Sequence, residues 1–283
     1  MKKAIFTGDD FGLAVPVNEA IIDAHSRGVL TTASLMVSGE ASQDAIQRAQ
    51  ALPTLKVGLH LVLVEGRSLL PRKQVPDLVN ASGELSGHLV RSGFRFFFVP
   101  GIRRQLEAEI RAQFEAFQTA GFHLDHVNTH NHMHLHPTVL ECVLKIGREF
   151  GLSAIRVPHE PPLPSFRAAG KSLVSRAASS FFLYPLIARM RRRVREEKLH
   201  ANDFSFGMRD SGAMTLDLVL SLLRHLPVGV SELHFHPATR RCAALDRTMR
   251  EYRHEEEYQA LTSPSLREAI RSAGVHLSSF ADL

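Results

Sequence analysis

Five of the thirteen residues in DHVNTHNHMHLHP, Asp125 to Pro137, are histidine: His126, His130, His132, His134 and His136. The last four alternate. Neutral imidazole is the commonest metal ligand and titrates near neutral pH, so this segment is dense in groups that bind metals or move protons. If the chain stays extended through His136, residues two apart share one face and the four imidazoles project together. The tract is internal, unlike an expression tag. Apolar residues separate some of the histidines and a helix-like stretch follows Pro137, which argues against a loose low-complexity tract. The segment alone selects neither a metal nor a reaction.

Candidate partners stand elsewhere. TGDDFG carries Asp9 and Asp10, VGLHLVL carries His60, and HFHPA carries His234 and His236. Adjacent carboxylates on a strand point to opposite sides, so Asp9 and Asp10 can face one site only if the chain bends, and Gly12 lies close by. The bland alternative is a solvated surface turn. One Asp with two His is a common open set for a divalent metal, with positions left for water and substrate. Such a metal lowers the pKa of water and polarises a carbonyl oxygen. A second Asp can then accept a proton, and a His on the opposite side can protonate a leaving group. Cys142 and Cys242 form no CxxC pair, so a cysteine zinc site is not expected and a reduced, cytoplasmic setting is.

Strand-like and helix-like stretches must position these groups, and they alternate along the chain. KAIFTGDD, TTASLMV, LKVGLHLVL, HLDHVNTH, SAIRVP, VSELHFHP and VHLSSF read as strands. VPVNEAIIDAHSRG, ASQDAIQRAQAL, GIRRQLEAEIRAQFEAFQTAG, PTVLECVLKIGREFG, TLDLVLSLLRHL and SLREAIRSAG read as helices. Residues 65–90 read as a long irregular loop. Repeated β-α units predict an α/β fold with a parallel sheet or β/α barrel. Barrel active sites gather at the C-terminal ends of strands, where Asp9, Asp10, His130 and His236 fall, with His60 inside its strand. There is no glycine-rich phosphate loop of the Walker or Rossmann type. The start, MKKAIFTGDDFG, reads as a first strand and not as a signal peptide. A length of 283 residues suits a single catalytic unit spanning 1–283.

The net charge of +5 is unevenly spread. Residues 165–200 hold nine Lys or Arg and two Glu, a local +7, so everything else sums to −2. This basic aromatic insertion contains an apolar run, Ala177 to Ala188, too short to span a bilayer. Aromatic residues followed by an Arg cluster suit an interfacial membrane segment, and a buried helix with a solvated basic end is the bland alternative. SGFRFFFVPGIRR is a second aromatic and basic stretch. No recognised nucleic-acid motif accompanies either, so nucleic acid is not an expected partner.

Taken in order, TGDDFG, VGLHLVL, the His-x-His-x-His segment and HFHPA resemble the YdjC-like carbohydrate deacetylase family over nearly the whole chain. The resemblance implies a distorted β/α (TIM-like) barrel and metal-dependent removal of N-acetyl groups from amino sugars. It implies Asp10, His60 and His130 as ligands of one divalent ion, zinc foremost, with Mg, Mn or Co as alternatives. It implies Asp9 as general base, and His236 as proton donor or as a group stabilising the transition state. His132 and His134 match further family histidines and read as supports of the site, as substrate contacts or as packing; His126 and His136 read as local hydrogen-bonding residues. Asn128 stands where many members carry Asp; it supplies no charge, so any support it gives a ligand or a sugar differs. Within the family the chain is most similar to the hopanoid-biosynthesis-associated branch, whose segment similarly reads HVN-x-H-x-H-x-HLHP. That implies an N-acetylglucosaminyl group on a hopanoid lipid, with peripheral contact at the inner membrane face through residues 165–200. The alternatives are a soluble chito-oligosaccharide deacetylase and a non-catalytic metal- or membrane-binding scaffold. Nothing in the sequence sets the oligomeric state.

Overall fold

The computed structural model describes residues 1–283. The first half runs β1 (Lys2–Phe11), α1 (Val15–Arg27), β2 (Thr32–Leu35), α2 (Ser42–Gln50) and β3 (Lys56–Leu61). It continues with α3 (Leu89–Phe98), α4 (Pro100–Thr119), β4 (Leu124–Thr129) and α5 (Pro137–Gly147). Then come α6 (Pro162–Ala169), α7 (Leu173–Glu196), β5 (Phe204–Phe206), α8 (Leu216–His225) and β6 (Gly229–Phe235). The chain closes with α9 (Ala243–Thr248), α10 (His254–Thr262), α11 (Pro264–Ser272) and β7 (Val275–Leu277).

All strand pairs are parallel, in the order β4-β3-β2-β1-β6-β5, with β7 on the start of β1. Such strands are covered on both sides, and β1, β2 and β4 are accordingly buried over almost their whole length. The sheet curls into a half-barrel. Between β4 and β5 the ladder gives way to isolated bridges, Val127 with Ile155 and Ala154 with His200. SAIRVP is therefore not a strand as expected: two residues bridge, and the Asn202 side chain then replaces a strand by bonding both the N–H and the C=O of Val157 at 2.8 and 2.9 Å. The barrel implied by the resemblance is met as a curled parallel sheet, not as a complete eight-stranded ring.

Prolines at the starts of α1, α4 and α5 occupy first-turn positions where a missing N–H costs nothing. The apolar stripe of α4, Leu106, Ile110, Phe114 and Phe117, is buried. Two polar residues on the same helix pin the loop after β3. Gln113 bonds both backbone groups of Val62, and Glu109 accepts from the N–H groups of Leu69 and Leu70. One continuous hydrophobic core runs under the sheet and its helices.

Two expectations need correction. The His segment is not extended. β4 stops at Thr129, and His130–Leu135 winds into a tight 3-10 turn in which Asn131 and His132 are left-handed, at φ 54° and 51°. The four alternating imidazoles therefore do not share one face: His130 and His132 reach the cavity described below, and His134 and His136 do not. The second concerns residues 165–200, which form α6 and the 24-residue α7. The basic end of α7 is not simply solvated, because Arg189 and Arg193 both pair with Glu141 at 3.0 Å.

Candidate active site

β1 brings its two carboxylates to one place by bending at Asp10 itself. Asp10 adopts φ 60°, and Gly12 follows at φ 98°. Asp is one of the few non-glycine residues that tolerates this left-handed region. At Gly12 a Cβ would lie 2.8 Å from the Met36 carbonyl oxygen, so the turn also needs glycine for space.

Asp10, His60 and His130 converge, each offering a ligand atom within 4.8 Å of the others. Asp10 Oδ1 lies 3.3 Å from His60 Nε2 and 3.2 Å from His130 Nδ1. All three residues are buried. The protonation state of His60 follows from its neighbours. Asn128 donates through Nδ2 to Ser34 Oγ at 2.9 Å and to Asp9 Oδ1 at 3.2 Å, which leaves its Oδ1 facing His60 Nδ1 at 2.6 Å. His60 Nδ1 must then carry the proton, and Nε2 presents a lone pair to a carboxylate oxygen. Two acceptors facing each other across 3.3 Å are the arrangement that a bound cation, a metal ion or a second proton on His60, would relieve. Asp10 Oδ2 and His60 Nε2 have no hydrogen-bond partner. The donor set fits a divalent metal, and Asn128 does by hydrogen bonding what a carboxylate does elsewhere: it fixes the tautomer of a ligand histidine.

Asp9 is held differently. Arg156 clamps it with two bonds, Nη1 to Oδ2 at 2.6 Å and Nη2 to Oδ1 at 2.9 Å. Arg156 is fully buried and also bonds Glu232, through Nε at 2.9 and 2.8 Å and through Nη2 at 2.7 Å. Thr7 Oγ1 donates to Glu232 Oε1 at 2.7 Å. Burial works to raise the Asp9 pKa, but the Arg156 guanidinium overrides it and keeps the carboxyl ionised, well below its usual range. Sequence reading missed Arg156 and Glu232. The available signal was a lone charge inside an apolar run, SAIRVP and VSELHF, which must find a partner if the run is buried.

Asp9, His60, His130, His132 and His236 line one cavity of about 190 Å³ at the C-terminal ends of the strands, together with Tyr252. His236 Nδ1 is buried without a partner, its ring stands edge-on to Tyr252 at 5.2 Å, and burial lowers its pKa. Beneath it, Glu257 accepts the His236 N–H at 2.5 Å and the Met214 N–H at 2.9 Å, and burial raises its pKa to about 7. His132 faces His234, with ring centroids 5.3 Å apart, and its Nδ1 is also unpartnered. The left-handed turn that aims it there is tied by Asn131, which donates to Glu65 at 2.8 Å. The remaining histidines are elsewhere. His134 accepts from Thr129 Oγ1 at 2.7 Å and donates to the Arg156 carbonyl at 3.0 Å, so it packs the turn and does not reach the cavity. His126 bonds Asp125 and Ser34 and stacks on Phe280. His136 lies edge-on to Phe96 and Phe97.

The model of the YdjC-like protein family matches residues 3–272. This chain belongs to the YdjC-like family. A carbohydrate deacetylase from Brevibacillus brevis is 38% identical over 160 residues, a match that covers 56% of this chain and 59% of that protein. A carbohydrate deacetylase from Vibrio parahaemolyticus is 28% identical over 286 residues, covering 99% and 96%. The stronger local match thus spans about three fifths of its relative. A crystal structure from Enterococcus faecalis V583, named for cellobiose-phosphate cleavage, superposes with a TM-score of 0.74 at 25% identity, covering 99% of this chain and 97% of that one. The curled sheet is therefore a fold that this chain shares with that solved protein.

Proposed function

We propose that this chain is a metal-dependent N-deacetylase that hydrolyses the acetamide of an N-acetylglucosaminyl group to acetate and a free amine. The observation that carries the reading is the pairing of an open Asp10–His60–His130 set with a second carboxylate, Asp9, kept ionised beside it by Arg156. A divalent ion, zinc foremost, held by those three residues supplies Lewis acidity and an acidified water at that point. Asp9 takes the proton of the attacking water, and Arg156 fixes its direction. His236, whose ring the cavity lines and whose backbone Glu257 holds, gives a proton to the departing amine. His132 lines the same cavity and serves as a substrate contact. We read residues 1–283 as one catalytic unit.

For the substrate, the reading is a lipid-linked sugar, on the hopanoid glycolipid that the family branch implies. Its support is an apolar groove of about 540 Å³ that shares Leu89 and His132 with the catalytic cavity. A specific observation favours the soluble chito-oligosaccharide alternative. A polar cleft of about 310 Å³, with Glu40, Arg67, Glu84 and Arg247 on its walls, meets the cavity at Glu65, His130 and Thr248. Acetate release from N-acetylglucosaminyl hopanoid in detergent and from di-N-acetylchitobiose in buffer decides between them. Turnover of the lipid, reduced on the order of 10²-fold or more by Asp9→Asn, is expected. Turnover of the soluble sugar alone assigns the substrate to the polar cleft. No acetate from either by metal-loaded protein removes the deacetylase reading.

A further inference from the structure

The large apolar side chains left exposed are not scattered. All but Met1, Val15, Val228 and Leu277 lie on α3 and the residue after it or on α6 and α7. On α3, Phe94, Phe97 and Phe98 are 63%, 57% and 65% exposed; on α7, Phe181 and Phe182 are each 76% exposed and Tyr184 is 65%. The two helices flank the apolar groove, which takes Phe94 and Phe98 from α3 and Leu183 and Leu186 from α7. A contiguous exposed patch of this kind marks a contact surface.

Charge identifies what the surface meets. There is no Asp or Glu from Ser86 to Leu106, nor from Pro161 to Arg195. Up to the middle of α7, Arg103 and Arg176 are paired with carboxylates, whereas Arg91, Arg95, Arg104, Arg167 and Lys171 have no ion-pair partner. A second copy of the chain presenting this same face would bring the same positive sign and be repelled, while an anionic bilayer attracts it and accepts the aromatic rings at its interface. The basic end of α7 is a poorer candidate. Arg193 alone is engaged with Glu141, Glu196 and Glu197, at 3.0, 2.6 and 3.2 Å.

We infer that α3 and the first half of α7 together dock this chain on an anionic lipid bilayer, with Phe94, Phe98, Phe181 and Phe182 entering the interface. The contact thus involves a helix outside residues 165–200 and excludes the arginine cluster within them. This deepens the lipid-linked reading and rests on it for the purpose of docking: the groove that opens between the two helices leads to the wall of the catalytic cavity through Leu89 and His132.

The chain contains no tryptophan, so single reporters can be placed at will. Phe98→Trp, Phe182→Trp and Val228→Trp, the last at the opposite end of the sheet beside the start of β6, are each mixed with two kinds of vesicle. One is phosphatidylcholine alone; the other is equal parts phosphatidylcholine and phosphatidylglycerol. The expected result is a blue shift at Phe98→Trp and Phe182→Trp on the anionic vesicles, reversed by salt, and none at Val228→Trp. Phe98→Ser, Phe181→Ser and Phe182→Ser combined should weaken co-sedimentation by about tenfold or more, with an unchanged thermal midpoint. No shift at either helix reporter overturns the inference, as does an equal shift at Val228→Trp. A shift that follows protein concentration without vesicles also overturns it, in favour of self-association. Because the reporters do not depend on turnover, docking without acetate release would refute the deacetylase reading and leave this surface standing. Acetate release without docking would do the reverse.

Discussion

The strand ends around Asp9 and the outer faces of α3 and α7 depart from ordinary polarity in opposite directions. The first buries charges: Asp9, Arg156 and Glu232 lie in the interior, and Asp10, His60 and His130 stand beside them. The second exposes aromatic rings. In the first region most polar atoms have a partner; those without one include Asp10 Oδ2, His60 Nε2, His132 Nδ1, His234 Nε2 and His236 Nδ1, and His60, His132 and His236 line the cavity. In the second, the rings pack mainly on each other, Phe97 on Phe98 and Phe181 on Phe182. On the proposed reading, that unpaired capacity is what each region offers: a place for a cation and a polar substrate in one, for an apolar surface in the other. The interior achieves this by rigidity, since a clamped carboxylate has one direction, whereas the helices do so by leaving area uncovered.

The comparison breaks first at Arg156. If the buried ionic triad holds the site rigid, Arg156→Met leaves Asp9 and Glu232 buried without a countercharge. The expected loss is about 3–5 kcal/mol of unfolding free energy, read from the denaturation midpoint. A loss below about 1 kcal/mol would show that the triad is ordinary surface-like pairing.

Glu257 sharpens the same contrast through pH. Burial raises its pKa to about 7 in the folded chain, above the ordinary 4.5. The folded state therefore binds the proton more tightly. Its contribution to stability is full below the unfolded pKa and is lost as pH rises through about 7. The amount is on the order of 3 kcal/mol. Glu257→Gln should flatten the stability curve across that window, and an unchanged slope would assign the dependence to another group.

The smallest effect belongs to Asn128. Asn128→Ala removes the acceptor that fixes the His60 tautomer, so metal affinity should fall about 10–100-fold in a competition titration with a chelator. An unchanged affinity would mean that His60 is oriented by packing alone.

Part of this was legible in the sequence. That Asp10, His60 and His130 could meet was legible from strand-like runs that also carry Asp9 and His236, and only the resemblance singled out the three, which the structure brings together. The alternation of strands and helices was readable from the apolar pattern of such runs. The His turn was not. Asn131 is a residue type that tolerates left-handed backbone, but His132 is not, and the regular alternation of imidazoles pointed to an extended chain. α3 was not marked as a helix because its apolar residues do not simply face the core: Phe96 is buried, while Phe94, Phe97 and Phe98 are exposed. Arg156 and Glu232 were hidden because a single charge in a strand reads as an outward residue until its partner, some 76 residues away, is known.

The most direct test of the central claim is a metal titration of the chelated protein, following acetate release from the N-acetylglucosaminyl substrate it turns over. The account predicts negligible release without metal, a linear rise with zinc to one equivalent per chain, and a plateau beyond it. Full release from the chelated protein, or a rise that continues to two equivalents, would contradict a single ion held by Asp10, His60 and His130.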